Sequence, residues 1–236
     1  MHRNFVVLSL IVALIAVIGV GRAGPVTMAQ EGTPAAGAEG LTDAELQGII
    51  DAAVAAAEQT PSLLRVDAQG TPQPTRMHIA IVDPNGHLLA LHSMENAWTI
   101  ALDVALGKAY TAAGLSSDEN AISSRSLGFL TQPGGGAWNV GNSNDPGTGD
   151  ETVEERGLIE IPGGLPLYKN GVLVGGIGVS GDGGDQDEDV AEAAVVGFEP
   201  PAVIRIDCVL VMEGAYTNSA SPCPGAEGLP VATPAA

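Results

Sequence analysis

The dipeptide Asn170-Gly171 stands between two apolar runs in the stretch IPGGLPLYKNGVLVGGIGVSGDGGDQDEDVAEAAVV, residues 161–196. Asparagine and glycine accept the positive φ angles of a two-residue hairpin turn, so this pair predicts two antiparallel strands joined tightly. The second strand is long and ends in glycines, and an acidic loop follows. A helix is then expected over Asp187–Val196, with acids gathered at its start, where they suit the helix dipole, and Gly197 past its end.

The rest of the chain is arranged around that hairpin. Thr42 and Glu45 have the spacing of a capping box, Leu41 and Leu46 that of a hydrophobic staple. Leu46, Ile49, Ile50, Ala53, Val54 and Ala57 then form one helical face, which Pro61 ends. After a polar connection, Asp67–Thr75, a second hairpin is expected from Met77–Val82 and Leu88–Met94 around Asp83-Pro84-Asn85-Gly86. Trp98–Ala113 reads as a helix with Trp98, Ala101, Leu102, Ala105, Ala109 and Ala112 on one face and Gly114 as its cap. Ser116 and Glu119 repeat the capping-box spacing and predict a short helix over Asp118–Ser124. Beyond Pro200-Pro201, Val203–Met212 is an apolar run expected to be a strand. Hairpins separated by helices, without regular strand–helix alternation, predict an α+β fold: an antiparallel sheet with flanking helices. Aromatics are only 3% of the chain, so its core must be built from Val, Ile, Leu and Ala.

The ends read differently. Met1–Asn4 is basic, Phe5–Val20 is almost unbroken apolar, and Thr27-Met28-Ala29 suits cleavage, so residues 1–29 are expected to be an export signal, with an uncleaved anchor as the alternative. Residues 30–40 are a Gly, Ala, Pro and Glu linker, 41–212 the domain, and 213–236 a flexible tail. Within the domain, 115–162 is a long loop insertion whose centre, Ser126–Gly157, loses all periodicity. Cys208 and Cys223 can pair in an oxidising compartment or remain as two thiols. A formal net charge of −19 opposes nucleic-acid and anionic-membrane binding.

Several motif matches weaken on their own chemistry. Gly176-Ile177-Gly178-Val179-Ser180-Gly181 fits G-x-G-x-x-G, but Asp182, Asp185 and Asp187 would repel a pyrophosphate, and a hairpin precedes it rather than a strand–helix–strand unit. The bland reading of these glycines, that they let a strand bend against a packed helix, is favoured. Ser180 lacks the closing glycine of a nucleophile elbow. Asp185, Asp187 and Asp189 begin like a calcium loop, yet Val190 and Val196 stand where glycine and glutamate are required. A weaker cation site at Asp182 and Asp185 competes with a solvated helix start. The sequence contains no Ser-His-Asp, Cys-His or dense metal-ligand grouping.

Three blocks, IAIVDPNGHLLALHSMENAW, GKAYTAA and PGGLPLYKNGVLVGGIGVSGDGGDQDEDVA, resemble the GlcG/HbpS-type haem-binding family, which includes the C-terminal domain of PduO-type proteins. The resemblance spans roughly residues 41–197. It implies a single profilin-like domain, often a homo-oligomer, with haem or a related tetrapyrrole as ligand. Two departures stand out: Met94-Glu95-Asn96-Ala97 replaces the family's Met-Asp-Gly-Ala, and the loop after Ser126 is longer than typical.

Under this resemblance His92 is the first choice of axial ligand and His87 the second; methionine is an alternative iron ligand, which brings in Met94. Strict alternation along the strand groups His92 with Met94 and Leu88, opposite His87. Each of these histidines is otherwise an ordinary surface residue. Lys108 matches the family's Lys-Ala-x-Thr-Ala block and suits a haem propionate, or else a structural ion pair; Tyr110 and Arg125 are weaker pocket candidates. Glu151 and Glu154 have the E-x-x-E spacing of a surface iron motif. The expected function is an extracytoplasmic haem-binding protein, in sensing or sequestration, with an extracytoplasmic protein partner. An enzyme acting on a small hydroxy-carboxylate and a ligand-free oligomeric module are the alternatives.

Overall fold

A computed structural model describes residues 40–131 and 158–209. The expected signal, linker and tail, the Glu151/Glu154 pair and the Cys208–Cys223 pairing lie outside the described residues.

Helix α1 (Asp43–Ala57) begins with the predicted box: Thr42 N–H donates to Glu45 Oε2 at 2.7 Å and Glu45 N–H to Thr42 Oγ1 at 3.3 Å. The Thr42 N–H, with Lys169 close by, holds the Glu45 carboxyl down at about 2. A small antiparallel ribbon follows, β1 (Pro61–Val66) with β2 (Pro72–Pro74), in a stretch that carries no strand periodicity. The main sheet contains β3 (His78–Val82), β4 (Leu88–Ser93), β5 (Gly164–Lys169) and β6 (Val172–Ser180), in the order β4-β3-β6-β5, antiparallel throughout. Asn170 and Gly171 take φ of +52° and +80° in the β5–β6 turn, as a primed hairpin turn requires. Tyr168 N–H, on the outer side of β5, donates to Phe198 O at 2.8 Å.

The fold is α+β. On one face of the sheet α1 and α4 (Gly184–Ala194) enclose Met77, Ile79, Ile81, Leu167, Ile177, Val179 and Val190. On the other, α2 (Ile100–Gly114) packs its Ala105, Ala109 and Ala113 against Ala80 and Val82. The contact is close because Gly176 and Gly178 lie beneath α2: a Cβ at Gly178 would fall 2.0 Å from Ala105 O. The G-x-G match is therefore a packing surface inside β6.

Three expected elements differ. Residues 118–123 are not helical: Ser117 Oγ accepts Glu119 N–H and Asn120 N–H in a tight turn, Ser116 Oγ accepts Ile122 N–H, and helix α3 (Ser124–Leu130) starts only at the last residue of the expected span, capped by Ser123. The capping box failed because both serines bind backbone outside a helix. Helix α3 also gives order to part of the expected loop insertion. The expected strand at Val203 is a 3-10 turn, Ala202–Ile204, and a one-turn helix α5 (Ile206–Val209), bridged at Arg205 to Ala121. Pro200-Pro201 and the Phe198 contact at β5 keep this run from joining the sheet.

Candidate functional site

Strand β4 is an outer strand, and its residues Leu88–Ser93 include no Asp, Glu, Lys or Arg. Exposed edges are ordinarily guarded by charge or proline; here Leu88, Leu89 and Leu91 are exposed instead. Helix α2 packs chiefly over β6, β3 and β5. Just past the strand, Trp98 is 43% and Ile100 75% exposed, so Trp98 does not belong to the packed face of α2. The register explains the crowding of leucines. Ile81 pairs with Ala90 but Val82 with Leu88, leaving Leu89 as the extra residue of a bulge. A bulge resets the alternation, so Leu88 joins Leu91 on the α2 side while Ala90, His92 and Met94 face α1. The expected grouping of Leu88 with His92 is thereby corrected.

The histidines have distinct surroundings. His78 is buried, with Nδ1 2.7 Å from Ser93 Oγ and Nε2 2.9 Å from Trp98 O. A carbonyl only accepts, so Nε2 donates to it and Nδ1 accepts from Ser93; both nitrogens are engaged. His87 is exposed, and its Nδ1 lies 3.0 Å from Asp83 Oδ2. Asp83 is itself fixed by the N–H groups of Asn85 and His87, each at 2.8 Å. A carboxylate holding one imidazole nitrogen leaves the other oriented for a metal. His92 is partly exposed, opposite Ile79, and its ring makes no hydrogen bond among the described residues.

The remaining candidates are placed elsewhere. Met94 is in the α1-side core, and its sulfur accepts Met77 N–H at 3.4 Å, so it is not an exposed ligand. Lys108 is fully buried, its Nζ 2.6 Å from Asp187 Oδ2 and 2.9 Å from Val179 O. Asp187 Oδ1 accepts the N–H groups of Gly181 and Asp182 at 3.1 and 3.0 Å. Burial pushes Lys108 down and Asp187 up, and each opposes the shift of the other. Of the two roles expected for Lys108, the geometry selects the structural ion pair, because the ammonium is sealed between α2, β6 and α4. Arg125 is held by Asp185 at 2.7 Å and by Glu188. Burial pushes the Glu188 carboxyl up to about 7, against the pull of Arg125. Tyr110 packs against the β3–β4 turn, where a Cβ on Gly86 would meet its ring at 2.7 Å.

The expected cation site is occupied by protein donors. Asp182 accepts Ser62 O–H and the N–H groups of Leu63 and Gly183, and Asp185 pairs with Arg125. Among the described residues no group of three or more His, Cys, Asp or Glu is placed to hold a metal ion. The structure thus brings His87, Tyr110, the leucines and His92 to the β4 edge and removes Met94, Lys108 and Arg125 from it. It adds residues that the sequence did not single out. Asp83 was legible only as part of a turn, and Arg65 is held over Trp98, its Cζ 5.4 Å from the ring centroid, by a cation–π contact between distant segments.

Among solved structures, the PduOC:heme complex superimposes with a TM-score of 0.50 at 24% identity, covering 68% of this chain and 96% of the other. The Klebsiella pneumoniae protein ORFY gives 0.51 at 23% identity, covering 70% and 95%. Among curated proteins, an uncharacterized 15.0 kDa protein from the dhaT-dhaS intergenic region of Citrobacter freundii is 29% identical over 119 residues, 50% of this chain and 73% of that protein. The corrinoid adenosyltransferase PduO of the same organism is 29% identical over 120 residues, 51% of this chain and only 31% of PduO. Residues 41–196, which hold both hairpins and helices α1 to α4, match the family described as haem degrading protein HbpS-like, and the chain belongs to that family.

Proposed function

We propose that this chain binds haem or a related tetrapyrrole at the β4 edge. The observation that carries the reading is an open strand edge free of Asp, Glu, Lys and Arg, with exposed leucines and two histidines that each keep a ring nitrogen unengaged. The residues fit the group: an apolar face suits the macrocycle, and neutral imidazole is an ordinary axial ligand of its iron. His92, with neither ring nitrogen bonded, or His87, oriented by Asp83 at the other end of the strand, would hold the iron. Leu88 and Leu91, on the face of β4 away from His92, and Trp98 would offer the macrocycle apolar surface around the edge. When bound, the group supplies a redox-active iron and an intense visible absorption. The haem bound by the PduOC structure and the family description support the reading.

The basic and apolar N-terminus supports export and an extracytoplasmic site of action. There the protein serves in haem sensing or sequestration, as a homo-oligomer with an extracytoplasmic protein partner. The alternative of an enzyme acting on a small carboxylate drew on Lys108, and that side chain is committed to Asp187.

Titrating residues 30–236 with haemin tests the proposal. The expected result is a saturable Soret change that weakens in His92→Ala, with His87→Ala as the comparison. Absence of binding at micromolar haemin overturns it.

A further inference from the structure

A tetrapyrrole with free propionates is an anion, and a chain of formal net charge −19 repels it. Something local must offset that repulsion, and the described cations are almost all committed. Arg76 faces Glu58, Lys108 faces Asp187, Arg125 faces Asp185 and Glu188, Lys169 faces Glu45, and Arg205 faces Asp207. Among the described residues, Arg65 is the one lysine or arginine with no carboxylate partner.

Its setting is specific. Arg65 lies on β1, and its guanidinium stands over the exposed ring of Trp98. Nη2 donates to Asn96 O at 2.7 Å, and Nε is buried with no hydrogen-bond partner. Asn96, at φ +66°, turns the chain between β4 and α2 and presents the carbonyl that holds the fork. The aromatic face positions the cation without neutralising it, since a cation–π contact leaves the full charge in place. Four residues separate Asn96 from His92, a reach of at most about 14 Å, so Arg65 belongs to the His92 end of the strand. His87, nine residues away, is at the other end.

We propose that Arg65, held by Trp98 and Asn96, binds a carboxylate of the ligand and selects tetrapyrroles that carry free propionates. This rests on the haem reading above. Arginine suits the task because its planar fork matches a carboxylate in two parallel hydrogen bonds. Without it the nearby exposed Glu95 would leave this end of the site purely repulsive.

The test compares haemin with haemin dimethyl ester, whose propionates carry no charge, on residues 30–236 of the wild type, Arg65→Gln and Arg65→Lys. Near-ultraviolet circular dichroism checks that each variant is folded. Arg65→Gln is expected to weaken haemin roughly tenfold, the low end for a charged hydrogen bond, and to leave the ester unchanged. Arg65→Lys should recover part of the loss, and added salt should narrow the difference between wild type and Arg65→Gln. An equal loss for both ligands, as from a packing role alone, overturns the proposal, as does no loss for either. If the wild type binds neither ligand, the haem reading itself falls and this one with it.

Discussion

On the α2 side of the sheet, Lys108 is sealed from water with its charge met by Asp187, while on the same side, at the outer strand, Leu91 is 41% exposed. Ordinary expectation places these residue types the other way round. At the seam between α2, β6 and α4, the lysine and aspartate fix two helices to one strand end through the Val179 carbonyl and the Gly181 and Asp182 amides. Along β4 the β3 ladder and the Ser93–His78 bond fix the strand, but its outer apolar surface is left exposed. The first region maintains the shape; the second has surface to offer a ligand. A lysine in the family's motif block was therefore a guide to the scaffold rather than to the site.

The largest effect should come from breaking the seam. Lys108→Met leaves Asp187 charged and buried without its partner, and about 3–5 kcal/mol of stability should be lost, read by urea unfolding. Lys108→Met with Asp187→Leu should recover much of it. A loss below about 1 kcal/mol would mean that Asp187 finds a substitute proton or donor, and the seam would not be the anchor described.

A smaller effect concerns pH. Glu188 keeps its proton in the folded state up to about 7, against an ordinary value of 4.5. Between those values the folded chain binds more protons than the unfolded chain, so stability falls as pH rises through the window. Asp187, also raised by burial, adds in the same direction. Urea midpoints at about pH 5 and about pH 8 should differ in that sense, and Glu188→Gln should flatten the part due to Glu188. A wild-type midpoint that rises with pH would reverse the assignment.

The smallest stability change belongs to the edge. Leu91→Lys should alter unfolding by no more than about 0.5 kcal/mol, as surface substitutions do, yet lower haemin affinity by interrupting the apolar surface. If the substitution unfolds the chain instead, β4 is a structural element on the same terms as the seam, and the contrast disappears.

The sequence shows the frame where the signals are local. The Thr42–Glu45 box, the Asn170-Gly171 turn and the Asp83–Gly86 hairpin each join residues a few positions apart, and each forms as read. What depends on distant partners was not legible. Asp187 lies 79 residues from Lys108, and no spacing reveals which acid a buried lysine will meet. The bulge at Leu89 leaves no mark in a run of leucines, although it decides which of them share a side with Leu91. Arg65 lies past the helix end read at Pro61, in a segment assigned to no element, Trp98 was read on a helix face, and only folding stacks them. His87 and His92 were legible as histidines; the carboxylate that orients one and the open surroundings of the other were not.

The hydrogen bond from Tyr168 to Phe198 bears on assembly. It takes the Tyr168 N–H on the outer side of β5, where Pro166 carries no N–H, so among the described residues the β4 side is the more open to strand pairing. A sheet that can be extended at both sides propagates into fibres, whereas one that can be extended at a single side closes after two copies related by a two-fold axis. A main-chain contact and a proline at the far strand thus disfavour growth by strand addition on that side.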